Sequence, residues 1–256
     1  MRVAVVSIFP DQLANYAGFG VIAKAQQVGS LKLEFIDPRD YTTDIHRSVD
    51  DVPFGGGPGM LMKCEPLFEA VESNEVPRPV VLLSPGGEPL TQGVVKELSC
   101  YSGFTLICGR YEGVDSRVEK HLVDRTLSLG DFVLAGGELA ALCVLEAVSR
   151  LLPSVLGNEE SFRSESFEDG LLEHDQYTRP SDFKGYKVPD VLLSGDHREI
   201  ARWKRRRSLL ITAERRPDLL KDAVLSDEEV LFLRENGYSE KVEKIVKPSE
   251  DKNARY

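Results

Sequence analysis

Short apolar runs alternate with amphipathic stretches through the first part of the chain. Residues 3–8, 31–36, 80–83, 104–108 and 125–129 are near-continuous runs rich in Val, Ile, Leu and Phe, and they predict buried strands. Residues 20–28, 66–73, 91–98 and 114–121 carry helical spacing, and 136–150 form a longer helix rich in Ala and Leu. Strands in alternation with helices imply an α/β domain whose mostly parallel sheet is covered on both faces.

Near Leu156 the character changes. Residues 156–180 are rich in Gly, Ser, Glu and Asp, have little periodicity and read as a linker. Beyond them the strand signal nearly vanishes. Helices are expected over 197–210, 217–223 and 227–236, with start signals at Ser194 or Asp196, Pro217 and Ser226. The expected organisation is an α/β domain over 1–160, a linker over 161–180, a small C-terminal α-helical domain over 181–246 and a polar tail over 247–256.

Composition narrows the class. The 256 residues suffice to bury a core without staples, and no run is long and apolar enough to cross a bilayer. The expectation is a cytoplasmic protein without a membrane partner. Cys64, Cys100, Cys108 and Cys143 show no Cys-x-x-Cys spacing; three lie in apolar surroundings and read as reduced core residues. The four histidines are equally dispersed, so no metal ligand is assigned. The formal net charge of −10 opposes nucleic-acid binding, but its distribution does not. Between 197 and 216 lie Arg198, Arg202, Lys204, Arg205, Arg206, Arg207, Arg215 and Arg216, opposed within the run only by Glu199 and Glu214. Such a run is either a solvated helix face or a phosphate-binding patch.

Three glycine-bearing segments follow strands: Ser84-Pro85-Gly86-Gly87, Cys108-Gly109-Arg110-Tyr111-Glu112-Gly113, and Ser128-Leu129-Gly130-Asp131 leading to Leu134-Ala135-Gly136-Gly137-Glu138. In an open α/β sheet, ligands bind beyond the carboxyl ends of strands, so three such turns together suggest an adenosine-sized pocket. No Gly-x-Gly-x-x-Gly follows a strand, which disfavours a dinucleotide site. A fourth cluster, Phe54-Gly55-Gly56-Gly57-Pro58-Gly59-Met60, lacks the Gly-Lys-Ser/Thr ending of a phosphate loop and by itself reads as a surface loop.

These strings occur in a recognisable order. Gly55-Gly56-Gly57-Pro58-Gly59-Met60, Leu83-Ser84-Pro85, the 108–113 segment, Gly130-Asp131-Phe132-Val133-Leu134, Gly136-Gly137-Glu138 and His174-x-x-Tyr177-Thr178-Arg179-Pro180 resemble the bacterial tRNA (guanine-N1)-methyltransferases, from Met1 to about Asn236. The resemblance implies a SPOUT-type parallel sheet with a deep trefoil knot, a homodimer with its active site at the interface, and S-adenosylmethionine-dependent methylation of N1 of guanine 37 in tRNA. Carried over, the donor site falls on Leu82, Leu83, Ser84, Pro85, Gly109, Tyr111, Glu112 and Gly113, then on Ser128, Leu129, Gly130, Leu134, Gly136 and Gly137.

Methyl transfer to a ring nitrogen needs a base for the departing proton and a cation for charge developing on O6, but no covalent nucleophile. The resemblance assigns catalysis to Glu165, Arg150 and Glu112. Without it, Arg150 reads as a helix C-terminal cation. The family usually has Asp where Glu165 stands, and Asp169, which otherwise reads as a turn residue before Gly170, is the alternative base. Magnesium is a further expected cofactor, with Glu112 and Glu165 as candidates to help hold it. Asp50, Pro58, Gly59 and Met60 are candidates for gripping the target base, and Arg205, Arg206 and Arg207 for tRNA phosphates. Competing readings are another knotted RNA methyltransferase, an RNA-binding module without catalysis and a small-molecule nucleotide enzyme. The glycine turns with Arg150 and Glu112 oppose the second, and the basic run opposes the third.

Overall fold

The computed structural model describes residues 1–157 and 165–243. Residues 158–164, spanning the expected boundary of the first domain with the linker, and 244–256, the end of the expected helical domain with the tail, lie outside them. Contacts divide the chain into Met1–Gly157 and Asn158–Tyr256.

The first unit runs β1 (Arg2–Val6), α1 (Pro10–Tyr16), α2 (Gly20–Gln27), β2 (Lys32–Ile36), β3 (Asp50–Asp51), β4 (Leu61–Met62), α3 (Cys64–Glu72), β5 (Val80–Pro89), α4 (Gln92–Cys100), β6 (Gly103–Cys108), α5 (Ser116–His121), β7 (Arg125–Ser128) and α6 (Glu138–Ser149). The five long-range strands form one sheet in the order β2-β1-β6-β5-β7, and every pairing is parallel. The expected α/β class with a parallel sheet is therefore present. Strand β6 lies at the centre with all six residues buried, and Phe104, Leu106 and Ile107 are wholly inaccessible.

Side-chain alternation divides the core. Val3, Val5, Val81, Leu83, Phe104 and Leu106 face one layer, where they meet Leu13, Ile22, Leu98, Val144 and Leu145 from α1, α2, α4 and α6. Ala4, Val6, Val80, Leu82 and Ile107 face the other, against Leu67, Ala70 and Val71 of α3 and Val118 of α5. Helix α1 left no periodic signal because Leu13 is its only buried residue; Pro10 at its first turn starts it. The β3–β4 hairpin is too short for alternation to reveal. Of the cysteines only Cys108 is buried; Cys64 is half-buried, and Cys100 and Cys143 are exposed, which corrects the reading of core thiols.

The second unit contains a short hairpin, β8 (Asp182–Phe183) and β9 (Tyr186–Lys187), then α7 (Asp190–Leu193), α8 (His197–Arg215), α9 (Asp227–Leu233) and α10 (Ser239–Glu243). Asp196 caps α8 by accepting hydrogen bonds from the amides of Arg198 and Glu199. Helix α8 continues five residues past the expected 210, because Leu209, Ile211, Thr212 and Ala213 remain buried. The segment expected as a helix over 217–223 is a 3₁₀ turn, Pro217–Lys221. Leu171, Leu209, Ala213, Leu220 and Leu233 form this unit's core.

On the edge strand β2, Glu34 accepts hydrogen bonds from Arg2 and pairs with Lys32 at 2.9 Å. The Arg2 hydrogen bonds, then that of Lys32, pull the Glu34 carboxyl from the usual 4.5 to about 2. A depressed folded pKa gives stability that is present above 4.5 and lost as pH falls toward 2. Glu34→Gln is expected to lower stability at pH 7, by an amount that solvent screening of this part-buried pair keeps modest, and to flatten the acid limb as the two proteins converge toward pH 2. Acid titration followed by circular dichroism checks this; identical acid limbs for the two proteins would refute it.

Candidate functional site

Strand β5 is interrupted where it meets β7. Leu83 and Glu88 both pair with Leu127, so residues 84–87 leave the ladder as an excursion. Gly87 brings this excursion back. A Cβ there would lie 2.5 Å from the Leu127 carbonyl carbon and 2.6 Å from its nitrogen, so only glycine fits without a shift.

The turn after β6 is held by the Gly113 amide on the Arg110 carbonyl at 3.0 Å, with Tyr111 at φ 63° and Gly113 at φ 122°. The chain after β7 turns at Ser128, whose hydroxyl meets the Gly130 amide and carbonyl, each at 3.2 Å. It then crosses to the β6 turn. Gly137 donates to the Gly109 carbonyl at 2.9 Å, and a Cβ on Gly137 would lie 2.8 Å from the Cys108 Cα. Backbone packs on backbone at this point.

The three turns enclose a cavity of about 310 Å³. From the first turn it is lined by Leu82, Leu83, Ser84 and Pro85; from the second by Gly109, Tyr111, Glu112 and Gly113; from the third by Ser128, Leu129, Gly130, Leu134, Gly136 and Gly137. The structure thus brings together all fourteen residues expected at the donor site. Arg110, Phe132, Val133 and Ala140 also line it and were not anticipated.

A polar chain runs from the core to the cavity wall at Arg110. Ser7 donates its hydroxyl to Glu138 at 2.8 Å, and Arg110 Nε donates to the other carboxylate oxygen at 3.0 Å. Glu138 is buried at the first residue of α6, where the helix dipole favours its charge. Arg110 also lies over the Phe9 ring, 4.6 Å from its centroid. This network ties β1, the β6 turn and the start of α6. Its signal in the sequence was the acid directly after Gly136-Gly137, but its partner Ser7 is 131 residues away.

The glycine loop meets the cavity's rim. Glu112 donates its amide to the Met60 carbonyl at 3.0 Å, and a Cβ on Gly59 would fall 2.6 Å from Glu112 Oε1. Burial, followed by the charge of Asp50 and a hydrogen bond to it, raises the pKa of the Tyr111 phenol. Asp50, Gly59 and Met60 therefore stand beside Tyr111 and Glu112. Burial pushes the Cys64 thiol up to about 11, with Asp115 adding to it, and burial also raises that of Cys108. Neither supplies a thiolate near neutrality.

The candidate catalytic residues come from both units, and of them Glu112 lines the cavity. Arg150 caps the far end of α6, roughly 18 Å along the axis from the end that lines the cavity. Glu165 belongs to the second unit, in a turn where its carbonyl accepts from the Glu168 amide at 3.4 Å. Asp169, the alternative base, is ion-paired with Arg205. The basic run is partly neutralised: Arg205 also donates to Glu229 at 2.6 Å, Arg207 pairs with Asp175, and Arg206 lies 3.6 Å from Glu228. Among the described residues, no three of His, Cys, Asp and Glu are grouped to hold a metal ion.

A parallel sheet carrying a cavity at its carboxyl edge, walled largely by glycine turns, is the arrangement in which α/β proteins place their ligand sites. Residues 1–222 match the family model described as tRNA (Guanine-1)-methyltransferase TrmD. The chain is 50% identical over 240 residues to a tRNA (guanine-N(1)-)-methyltransferase of Moorella thermoacetica, covering 92% of this chain and 96% of that protein. It is 52% identical over 239 residues to the Myxococcus xanthus protein of that name, covering 91% and 96%. The chain belongs to the tRNA (guanine-1)-methyltransferase TrmD family.

Gly87→Ala is expected to destabilise the first unit by roughly 1–3 kcal/mol, the usual cost of forcing an atom into a packed wall. Denaturant unfolding measures it; an unchanged midpoint would mean that the Leu127 backbone yields.

Proposed function

We propose that this chain transfers a methyl group from S-adenosylmethionine to N1 of guanine 37 in tRNA. The observation that carries the reading is the convergence of three glycine turns on one cavity in a chain of this family. The lining supports the donor: Gly109, Gly113, Gly130, Gly136 and Gly137 offer main chain in place of side chains, a wall suited to a flat adenine. When bound, S-adenosylmethionine supplies the electrophilic methyl group.

The protein's own residues align the acceptor and manage its proton and charge. Glu165 accepts the N1 proton as the ring nitrogen attacks. Arg150 donates to O6, where negative charge develops. Glu112, on the cavity wall, would help hold the methionine end of the donor. Asp50, Pro58, Gly59 and Met60 grip the guanine at its Watson–Crick edge, as an extruded base requires. The basic run along α8 meets tRNA phosphates. The chain through the three turns would form the deep trefoil knot of the SPOUT fold, and the residues of those turns would hold the donor.

The working form is a homodimer. Arg150 and the cavity lie at opposite ends of α6, so a second copy brings the arginine to the site. Leu139 and Cys143, four residues apart on α6, are exposed, as are Phe132 and Val133 at the cavity's edge; apolar groups of this kind suit cover by a partner. Magnesium fits less well. With no three-residue ligand group among the described residues, it would bind with tRNA phosphates rather than in a protein cage.

Incubated with labelled S-adenosylmethionine, the protein is expected to methylate a tRNA transcript carrying G37 and to leave its A37 counterpart unlabelled. Label on the A37 transcript would sink the assignment. Glu165→Gln is expected to lower turnover at least a hundredfold, the usual worth of a general base, while calorimetry still detects donor binding. Unchanged turnover would pass the role to Asp169.

A further inference from the structure

A second cavity, of about 280 Å³, lies in the helical unit and shares no residue with the first. One face of α8 supplies most of its wall. Glu199, Arg202, Trp203, Arg206, Arg207 and Leu210 recur at intervals of three and four. Phe232 of α9 lies opposite, with Arg206 stacked over its ring at 4.9 Å. Trp203 is braced by the rings of His174 and Tyr177, at 6.2 and 6.3 Å.

The arginines here are of two kinds. Arg205 is hydrogen-bonded to Asp169 and Glu229, and Arg207 to Asp175, so both hold the unit together. Arg202 and Arg206 instead share a single carboxylate, Glu228, each at 3.6 Å. That distance is beyond a hydrogen bond, and Glu228 is 73% exposed. With Glu199 also on the lining the charges balance in number, but the two guanidinium groups keep donors that the solvated Glu228 does not occupy.

We propose that this cavity is a nucleotide subsite for tRNA, in which one unpaired base stacks on Trp203 and an adjoining phosphate is held by Arg202 and Arg206. Indole faces stack bases of any identity, and guanidinium groups match phosphate with paired donors. Glu199 repels phosphate from its own end and accepts from a base amino group, which orients the nucleotide. An acidic peptide would use the arginines but leave the indole wall uncovered. The proposal rests on tRNA being the substrate. It assigns recognition at this cavity to Arg202 and Arg206, and not to all of the residues from 205 to 207.

Trp203 is the only tryptophan in the chain, so its emission reports on the cavity without a label. An A37 transcript, which offers no methyl acceptor, is titrated into the intact protein. Saturable quenching that weakens with added salt is expected. In methylation assays on the G37 transcript, Trp203→Leu and the Arg202→Gln/Arg206→Gln double variant should each raise KM for tRNA about tenfold, with kcat nearly unchanged. Trp203→Phe should restore most of the affinity, which separates stacking from simple loss of structure, and thermal melts check folding. Emission unmoved at saturating tRNA, or a wild-type KM in Trp203→Leu, would overturn the subsite. Equal quenching by polyglutamate would overturn the choice of RNA. Quenching by tRNA without any methyl transfer would instead overturn the proposed activity and leave the subsite standing.

Discussion

Gly137 sits directly on the backbone of β6, donating to the Gly109 carbonyl at 2.9 Å. With no Cβ on Gly137, the start of α6 approaches the end of β6 closely enough that an added Cβ would lie 2.8 Å from the Cys108 Cα. The rest of the cavity depends on this contact. It sets where α6 begins, and hence where Glu138 meets Arg110 and Ser7. It also fixes the distance between the second and third turns, which are two of the cavity's three walls. The excursion of β5 at residues 84–87 supplies the other wall, and Gly87 repeats the device against Leu127. A parallel sheet positions these turns at one edge; the glycines let them close.

The sheet could be read from the sequence because its strands are buried on both faces and so appear as unbroken apolar runs. Residues 104–108 show it best, since every one of them is inaccessible. Elements with little to bury could not be read. Helix α1 hides a single leucine, and the β3–β4 pair is two residues long on each side. The cavity's lining was readable through glycine at strand ends, yet its underlying support was not. Ser7, Arg110 and Glu138 come from distant parts of the chain, and hydrogen bonding between them leaves no local pattern. Cys100 and Cys143 misled for a related reason: an apolar neighbourhood in sequence is not burial, and both sit on outward faces of their helices.

Charge follows the same logic. Counting along the chain, the run from 197 to 216 holds eight cations against two acids. Folding adds opponents from elsewhere: Asp169, Asp175, Glu228 and Glu229 all come to α8. What survives is a small, patterned excess rather than a broad positive face. A protein with a net charge of −10 can therefore present a local anion site while repelling polyanions over most of its surface. Such an arrangement favours correct docking over loose, sequence-blind association.

The backbone character of the first cavity also bears on how it can be blocked and how it can change. At Gly136 and Gly137 the wall is main chain, and a new side chain intrudes on structure before it intrudes on any occupant. An inhibitor that makes its contacts to these peptide groups would meet few single amino-acid replacements able to exclude it and still leave the sheet edge folded. Resistance would have to arise at the rim, where Tyr111, Phe132 and Val133 are exposed and can vary.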